Sequence, residues 1–380
     1  YKIGDDIDIT VTWDDNVNVT GTPTLTLSNG ASATYQSGDG STALVFRYPV
    51  AEGNTDSSDL SVSSYSGTIQ DSAGNDAAAA SGDLGAVIVD ANKPTLTSVG
   101  IVSNNTVNSA YAKVGHDVTL TFTANETINT PSVAFTSDGD AIADGSIVYS
   151  NASGNTWTAV YTTESGDTTG AVGFTISFSD TAGNSGDNVT AVTNGSSVTF
   201  DKTAPTLTSV AATDATYKIG DNIDITVTWG EVVVKNGTPT LTLSNGASAT
   251  YQSGDGTSSL VFRYTVSSGN ADTSDLSVSS YSGTITDRAG NTAAAASGDL
   301  GAVVVDANAP SFVSVAATDA TYKVGSNLDI TVTWGEAVVV SGTPTLALSN
   351  GSTASYNSGT GSTALVFRYT VVSGDTDSSD

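Results

Sequence analysis

Ile7-Asp8-Ile9-Thr10-Val11-Thr12-Trp13 alternates apolar and polar side chains without a break. A period of two belongs to a strand with one buried face. Leu25 and Leu27, then Leu44, Phe46 and Tyr48, carry the alternation onward, and Asn29-Gly30 and Gly38-Asp39-Gly40 mark turns between the runs. Threonine and valine dominate, and both suit a pleated surface. The run Ala77 to Ala80 is too short to make a helix.

The stretch around this strand recurs. Tyr1-Lys2-Ile3-Gly4-Asp5 returns as Tyr217-Lys218-Ile219-Gly220-Asp221 and as Tyr322-Lys323-Val324-Gly325-Ser326. The run from Gly21 to Gly40 is repeated letter for letter from Gly237 to Gly256. A diverged unit lies between, with Tyr111-Ala112-Lys113-Val114-Gly115 in the same place. Its Asp180-Thr181-Ala182-Gly183-Asn184 echoes Asp71-Ser72-Ala73-Gly74-Asn75 and Asp287-Arg288-Ala289-Gly290-Asn291. Such repeats mean an array of similar modules. Each linker is an apolar strand, an aspartate, a few residues and a proline: Asp90 to Pro94, Asp201 to Pro205, Asp306 to Pro310. Proline ends one ladder and stiffens the entry to the next. The modules are therefore 1–93, 94–204, 205–309 and 310–380. By alignment with the third, the first lacks its opening strand and the fourth its closing ones. The simplest expectation is a window on a longer array, and the alternative is a strand supplied by another subunit.

Seven such strands in about 100 residues predict an immunoglobulin-like β-sandwich, so the fold class is all-β, tandem and elongated. In the third module the strands are expected at 206–213, 223–229, 240–244, 248–252, 259–266, 276–286 and 301–305, lettered A to G. The BC, DE and FG loops then share the entry pole, and the AB and EF loops the exit pole. Strands of ~8 residues at ~3.3 Å each make four modules in line span on the order of 150 Å.

Composition narrows the function. The 380 residues hold 39 acidic and 11 basic side chains, a net charge of −28. Nucleic acid and anionic membrane surfaces need a basic footprint and are excluded as partners. No segment approaches the ~20 apolar residues of a membrane span, so no membrane insertion is expected. There is no cysteine, hence no disulfide and no thiolate chemistry.

The pattern of Tyr217 to Trp229, then Gly237 to Gly246, then Asp-x-Ala-Gly-Asn, then Val-Asp before proline, resembles the bacterial Ig-like repeats of very large surface adhesins. The second module, with Lys113 to Glu126, Gly154 to Thr162 and Phe174 to Asn184, is similar to a second variety of the same repeats. The resemblance covers nearly the whole chain. It implies export to the bacterial cell surface and calcium held between modules.

Catalysis is not expected. The only histidine, His116, falls in an AB turn, where other modules carry Asp5, Asp221 and Ser326. No nucleophile elbow accompanies the serines. Carboxylates recur in every module, whereas a catalytic pair has no reason to repeat along one chain. Trp13, Trp229 and Trp334 share the inward parity of strand B and are expected in the core. Arg47, Arg263 and Arg368 face outward on strand E and are expected to pair with nearby carboxylates.

The acidic loops carry the strongest signal. Asp5, Asp6, Asp56 and Asp59 crowd the exit pole of the first module. Asp90 from the linker, Glu126 from the BC loop, and Asp180 with Asn184 from the FG loop should meet at the first junction. Asp201, Glu231, Asp287 and Asn291 should meet at the second, and only Asp306 and Glu336 at the third. Hard oxygen donors without histidine or cysteine select Ca²⁺, which takes 6–8 oxygens. The expected partners are calcium ions and neighbouring modules or subunits of the same protein. The expected role is the extender of a bacterial surface adhesin, stiffened by calcium. The alternatives are a subunit of a self-assembling filament, sheath or surface layer, and an accessory module of a secreted polysaccharide-degrading enzyme.

Overall fold

A computed structural model describes residues 1–142 and 146–377, so the last three residues of the fourth module lie outside the described residues. The described residues form strands and turns and no helix. They divide into two compact units. The first comprises 1–206 together with 230–236 and 284–294, and the second comprises 207–229, 237–283 and 295–380.

In the first unit, the first module has β1 (Asp6–Leu27), β2 (Ser32–Ser37), β3 (Ser41–Pro49), β4 (Ser61–Gln70) and β5 (Gly82–Asp83). Strands B and C, expected as separate, are one continuous β1. Its Asp6 to Thr12 pair with β3, the register then shifts between Thr12 and Val17, and Asn18 to Leu27 pair with β4. Asp14-Asp15 stands where the third module has Gly230-Glu231. Core residues alternate as expected: Ile7, Ile9, Leu25, Leu27, Leu44, Phe46 and Tyr48 are buried.

The second module shows the sandwich most clearly. It has β6 (Leu96–Ser103), β7 (Tyr111–Ala112), β8 (Asp117–Ala124), β9 (Ser132–Ser137), β10 (Asp140–Ala141), β11 (Val148–Ser153), β12 (Thr156–Thr162), β13 (Gly170–Ser177) and β14 (Thr199–Phe200). One sheet runs β11-β12-β8-β6, the other β10-β9-β13-β14-β7. In letters these are D-E-B-A and C′-C-F-G-A′, the immunoglobulin arrangement. The two sheets enclose Phe122, Phe135, Tyr161, Ile176 and Phe200. Burial of each such side chain is worth roughly 1.5–3 kcal/mol.

The third module, most of it in the second unit, has β15 (Leu207–Ala211), β16 (Ala215–Lys218), β17 (Asn222–Trp229), β18 (Val234–Leu243), β19 (Ser248–Ser253), β20 (Ser259–Thr265), β21 (Ser277–Thr286), β22 (Gly298–Asp299) and β23 (Val303–Asp306). The lettered strands fall within a few residues of expectation, except that C begins six residues early, at Val234. Unforeseen is the A′ strand β16, which pairs in parallel with the G strand β23, Lys218 opposite Asp306. The fourth module has β24 (Phe312–Ala317), β25 (Asn327–Val338), β26 (Thr345–Ala347), β27 (Thr353–Ser358) and β28 (Ser362–Thr370) in the order β24-β25-β28-β27-β26. Its core is small, built on Ile330, Val332, Leu365, Phe367 and Tyr369.

Trp229 is buried as expected, but Trp13 and Trp334 are only half-buried. In the third module β15 lies beside Thr226 to Trp229. No described strand lies in that place beside Thr10 to Trp13, and the Trp13 indole N–H reaches the Ala78 carbonyl instead, at 3.4 Å. The outward arginines pair as expected. Arg47 with Asp8, Arg263 with Asp224, and Arg368 with Asp329 each make two parallel bonds of 2.6–2.8 Å between strands B and E. Each arginine holds its aspartate below the usual carboxylate range. These pairs are water-exposed and screened, so they add little to stability.

Candidate metal centres

The FG loop is built by its own aspartate. Asp180 Oδ1 accepts the N–H groups of Gly183 and Asn184 at 2.7 and 2.8 Å, and Oδ2 accepts the Asn184 side-chain amide at 2.9 Å. Asp287 does the same with Gly290, Asn291 and the Asn291 amide at 2.6, 2.8 and 2.8 Å. Asp71 of the first module makes the same bonds to Asn75 N–H and the Asn75 amide, but takes its other backbone donor from Ala73, one residue earlier than the glycine. The Asp-x-Ala-Gly-Asn motif therefore folds on itself, because the carboxylate gathers N–H groups that a tight turn leaves unpaired. The glycine lies at φ near +90° in all three loops, a region closed to most side chains.

The linker aspartate is placed by the preceding module. Asp90 N–H donates to the Tyr1 carbonyl at 2.9 Å, and Asp201 N–H to the Ala112 carbonyl at 2.8 Å. Parallel pairing of the A′ and G strands thus sets both residues. The Asp201 carboxylate also caps the linker turn, accepting Thr203 N–H and its hydroxyl at 2.9 and 2.8 Å.

The structure brings six of the expected residues into two groups. Asp90, Glu126 and Asp180 each offer a carboxylate oxygen within 4.8 Å of the others. Asp201, Glu231 and Asp287 form the second group within the same distance. Asp180 and Asp287 are buried, and the others half-buried. No Lys or Arg ion pair neutralises either group among the described residues. The electrostatic strain is visible in proton affinity. Burial raises Asp90 above the usual carboxylate range, and Asp180 and Asp56 push it further. Glu126 is raised by burial, then by Asp90, Asp180 and Asp56, and Glu231 by burial, then by Asp201 and Asp287.

Asn184 and Asn291 sit at the groups in a different capacity. The Asn184 amide donates to the Asp90 carbonyl at 3.1 Å and to Asp180, while its carbonyl oxygen accepts Ile3 N–H at 2.9 Å. The Asn291 amide donates to the Asp201 carbonyl at 2.9 Å. Both asparagines tie the FG loop of one module to the linker of the preceding one. Asp306 and Glu336 do not join any such group of three among the described residues. Asp306 is exposed, and Glu336, expected in a loop, lies within β25.

Asp56 was missed as a site residue. Its Oδ1 accepts Ala91 N–H at 2.8 Å, and its charge bears on both Asp90 and Glu126. Its recurrence as Asp272, which holds Ala307 N–H at 2.7 Å, was the available signal. His116 takes part in the turn that precedes β8. Its Nδ1 accepts Lys113 N–H at 3.3 Å, the bond that Asp5 and Asp221 make to Lys2 and Lys218.

The donor set suits a hard divalent cation. All six carboxylates offer oxygen, and two loops and a linker converge on each group. Backbone carbonyls and water would have to complete the shell.

No family model matches the chain, and no curated protein is significantly similar to it. Among solved structures, a three-domain I-band fragment of titin is 13% identical, covering 74% of this chain and 89% of that one at a TM-score of 0.32. A second three-domain tandem of titin is 11% identical, covering 80% and 95% at 0.29. The three-domain ectodomain of mouse nectin-like molecule 4 is 12% identical, covering 80% and 96% at 0.27. At TM-scores this low the likeness adds nothing to the strand order, on which the assignment to tandem immunoglobulin-like domains rests.

Proposed function

We propose that this chain is part of the extracellular extender of a bacterial surface adhesin, and that calcium bound at its module junctions holds successive modules at a fixed angle. The carrying observation is that the same three-carboxylate group recurs at two successive junctions, each time from linker, BC loop and FG loop. Asp90, Glu126 and Asp180 would hold one ion with Asp56 nearby, and Asp201, Glu231 and Asp287 another. Asn184 and Asn291 position the carboxylates. A bound ion would supply the missing positive charge and tie two modules through one set of bonds. Ligand that binds only the folded form raises stability by mass action. The role is mechanical, with no substrate turned over.

Chelation is the direct test of this reading. Removal of divalent ions should lower the melting temperature of the chain, and Asp201→Ala should remove part of that shift. An unchanged melting curve with and without millimolar calcium contradicts the proposal.

A further inference from the structure

The FG loop turns N–H groups inward onto aspartate and closes on itself through the Asp287 and Asn291 carbonyls, which leaves the carbonyls between them for a neighbour. At the second junction two of them are taken. Asn105, only 6% exposed, donates its amide to the Arg288 carbonyl at 2.9 Å, and Lys113 Nζ donates to the Gly290 carbonyl at 2.7 Å. The Arg288 side chain folds over Tyr111, with its guanidinium carbon 5.9 Å from the ring centroid and Nη1 3.3 Å from the phenol oxygen. Guanidinium over an aromatic face is attractive, and arginine also keeps an in-plane donor for the hydroxyl.

The chemistry is particular to this pair of modules. Where Arg288 stands, the sister loops carry Ser72 and Thr181. Aligned on the A′ lysine, the place of Tyr111 is held by Thr216 and Thr321 in the third and fourth modules. The packing differs accordingly. Ala289 is 1% exposed and Gly290 is buried, whereas Ala182 is exposed and Gly183 half-buried in the loop at the first junction.

We propose that Arg288, Tyr111, Asn105 and Lys113 form a clasp that seats the FG loop of the third module on the second without any metal, and that the Arg288–Tyr111 pair selects which module follows which. Metal would bind the carboxylates, whereas the clasp acts on the loop carbonyls and on Arg288. A module whose loop bears serine or threonine at this position keeps the carbonyl bonds and loses the pair that recognises Tyr111. The clasp does not depend on the calcium reading.

The chain has no cysteine, so two spin labels can be placed cleanly. Ser150→Cys with Ser280→Cys reports on the second and third modules, both sites being exposed. Pulsed dipolar spectroscopy is run in excess chelator. The unaltered junction in chelator sets the reference width of the distance distribution. R288S and Y111T should each widen it at least twofold, R288K should widen it less, and the double variant should be no wider than either single one. Arg288 is exposed, so R288S is not expected to unfold the module, and circular dichroism of each variant checks that. An unchanged width for R288S and Y111T overturns the clasp, and additive widening overturns the pairing. Because every arm is read without calcium, failure of calcium to bind leaves the result interpretable.

Discussion

Asp287→Asn separates a buried, junction-forming FG loop from an exposed one. Asp287 accepts three bonds, from Gly290 N–H, Asn291 N–H and the Asn291 amide, and is 2% exposed. Asparagine keeps the oxygen facing the two backbone donors. Its own NH₂ then faces the Asn291 amide, donor against donor, so one bond to a buried charge is lost. At about 1–3 kcal/mol for an orphaned buried partner, the third module should lose about 2 kcal/mol. Asp287→Ala orphans all three donors and should cost on the order of 4 kcal/mol. Asp71→Asn changes the same motif where the loop is exposed and water can replace the partner, so its effect should be much smaller. The assay is urea unfolding in chelator, followed by Trp229 fluorescence in a chain whose other tryptophans are phenylalanine. Trp229 is buried in the third module and reports on it alone. With calcium present, Asp287→Asn also removes one carboxylate of three, and affinity at that junction should fall at least tenfold, ~1.4 kcal/mol. If Asp287→Asn is as mild as Asp71→Asn in chelator, the claim that burial at the junction gives the loop its energetic weight is wrong.

Other predictions follow from the remaining groups. Burial, and then Lys113, lower the His116 pKa, so the fold favours the neutral ring. Stability of the second module should fall as pH drops through the ordinary histidine range near 6.5, where the unfolded chain gains the proton first. His116→Asp, the residue of two sister modules, should remove that dependence in pH-resolved melting. The raised Asp90, Glu126 and Glu231 carry the opposite sign. In chelator the junctions should gain stability as pH falls through the raised carboxylate range, because the folded form binds the protons more tightly. With calcium, that gain should disappear, since protons and metal compete for the same oxygens. The segment 310–380, with its small core and exposed Phe312, Val313 and Val315, should show no cooperative melting when expressed alone.

The repeat and the alternation of Ile223, Ile225, Val227 and Trp229 made strand B legible, because burial on one face leaves a local period. The meeting of linker, BC and FG carboxylates was legible for a topological reason: once strands A to G are ordered, those loops share a pole. The A′ strand was not. Lys218 pairs with Asp306 across most of a module, and parallel pairing at long range leaves no local mark. The fusion of B and C in the first module was not legible either, because it rests on the pairing of β1 with both β3 and β4 far along the chain. Asn184 was read as an oxygen donor, but the direction of its amide is decided by Ile3 and Asp90, some 90 to 180 positions away in the chain. Asp56 was visible as one acid among many, and only the geometry of Ala91 singles it out.

The central claim is that each three-carboxylate group is a calcium site. Isothermal titration of the chelator-treated chain with Ca²⁺, alongside Glu126→Gln and Glu231→Gln, tests it most directly. The account predicts two sites in the unaltered chain, one lost in each variant and both lost in the double variant, with a third, weaker event at most from Asp306 and Glu336. No heat of binding at millimolar Ca²⁺, or binding that neither glutamine substitution weakens, would contradict it and leave the groups as uncompensated acidic surface.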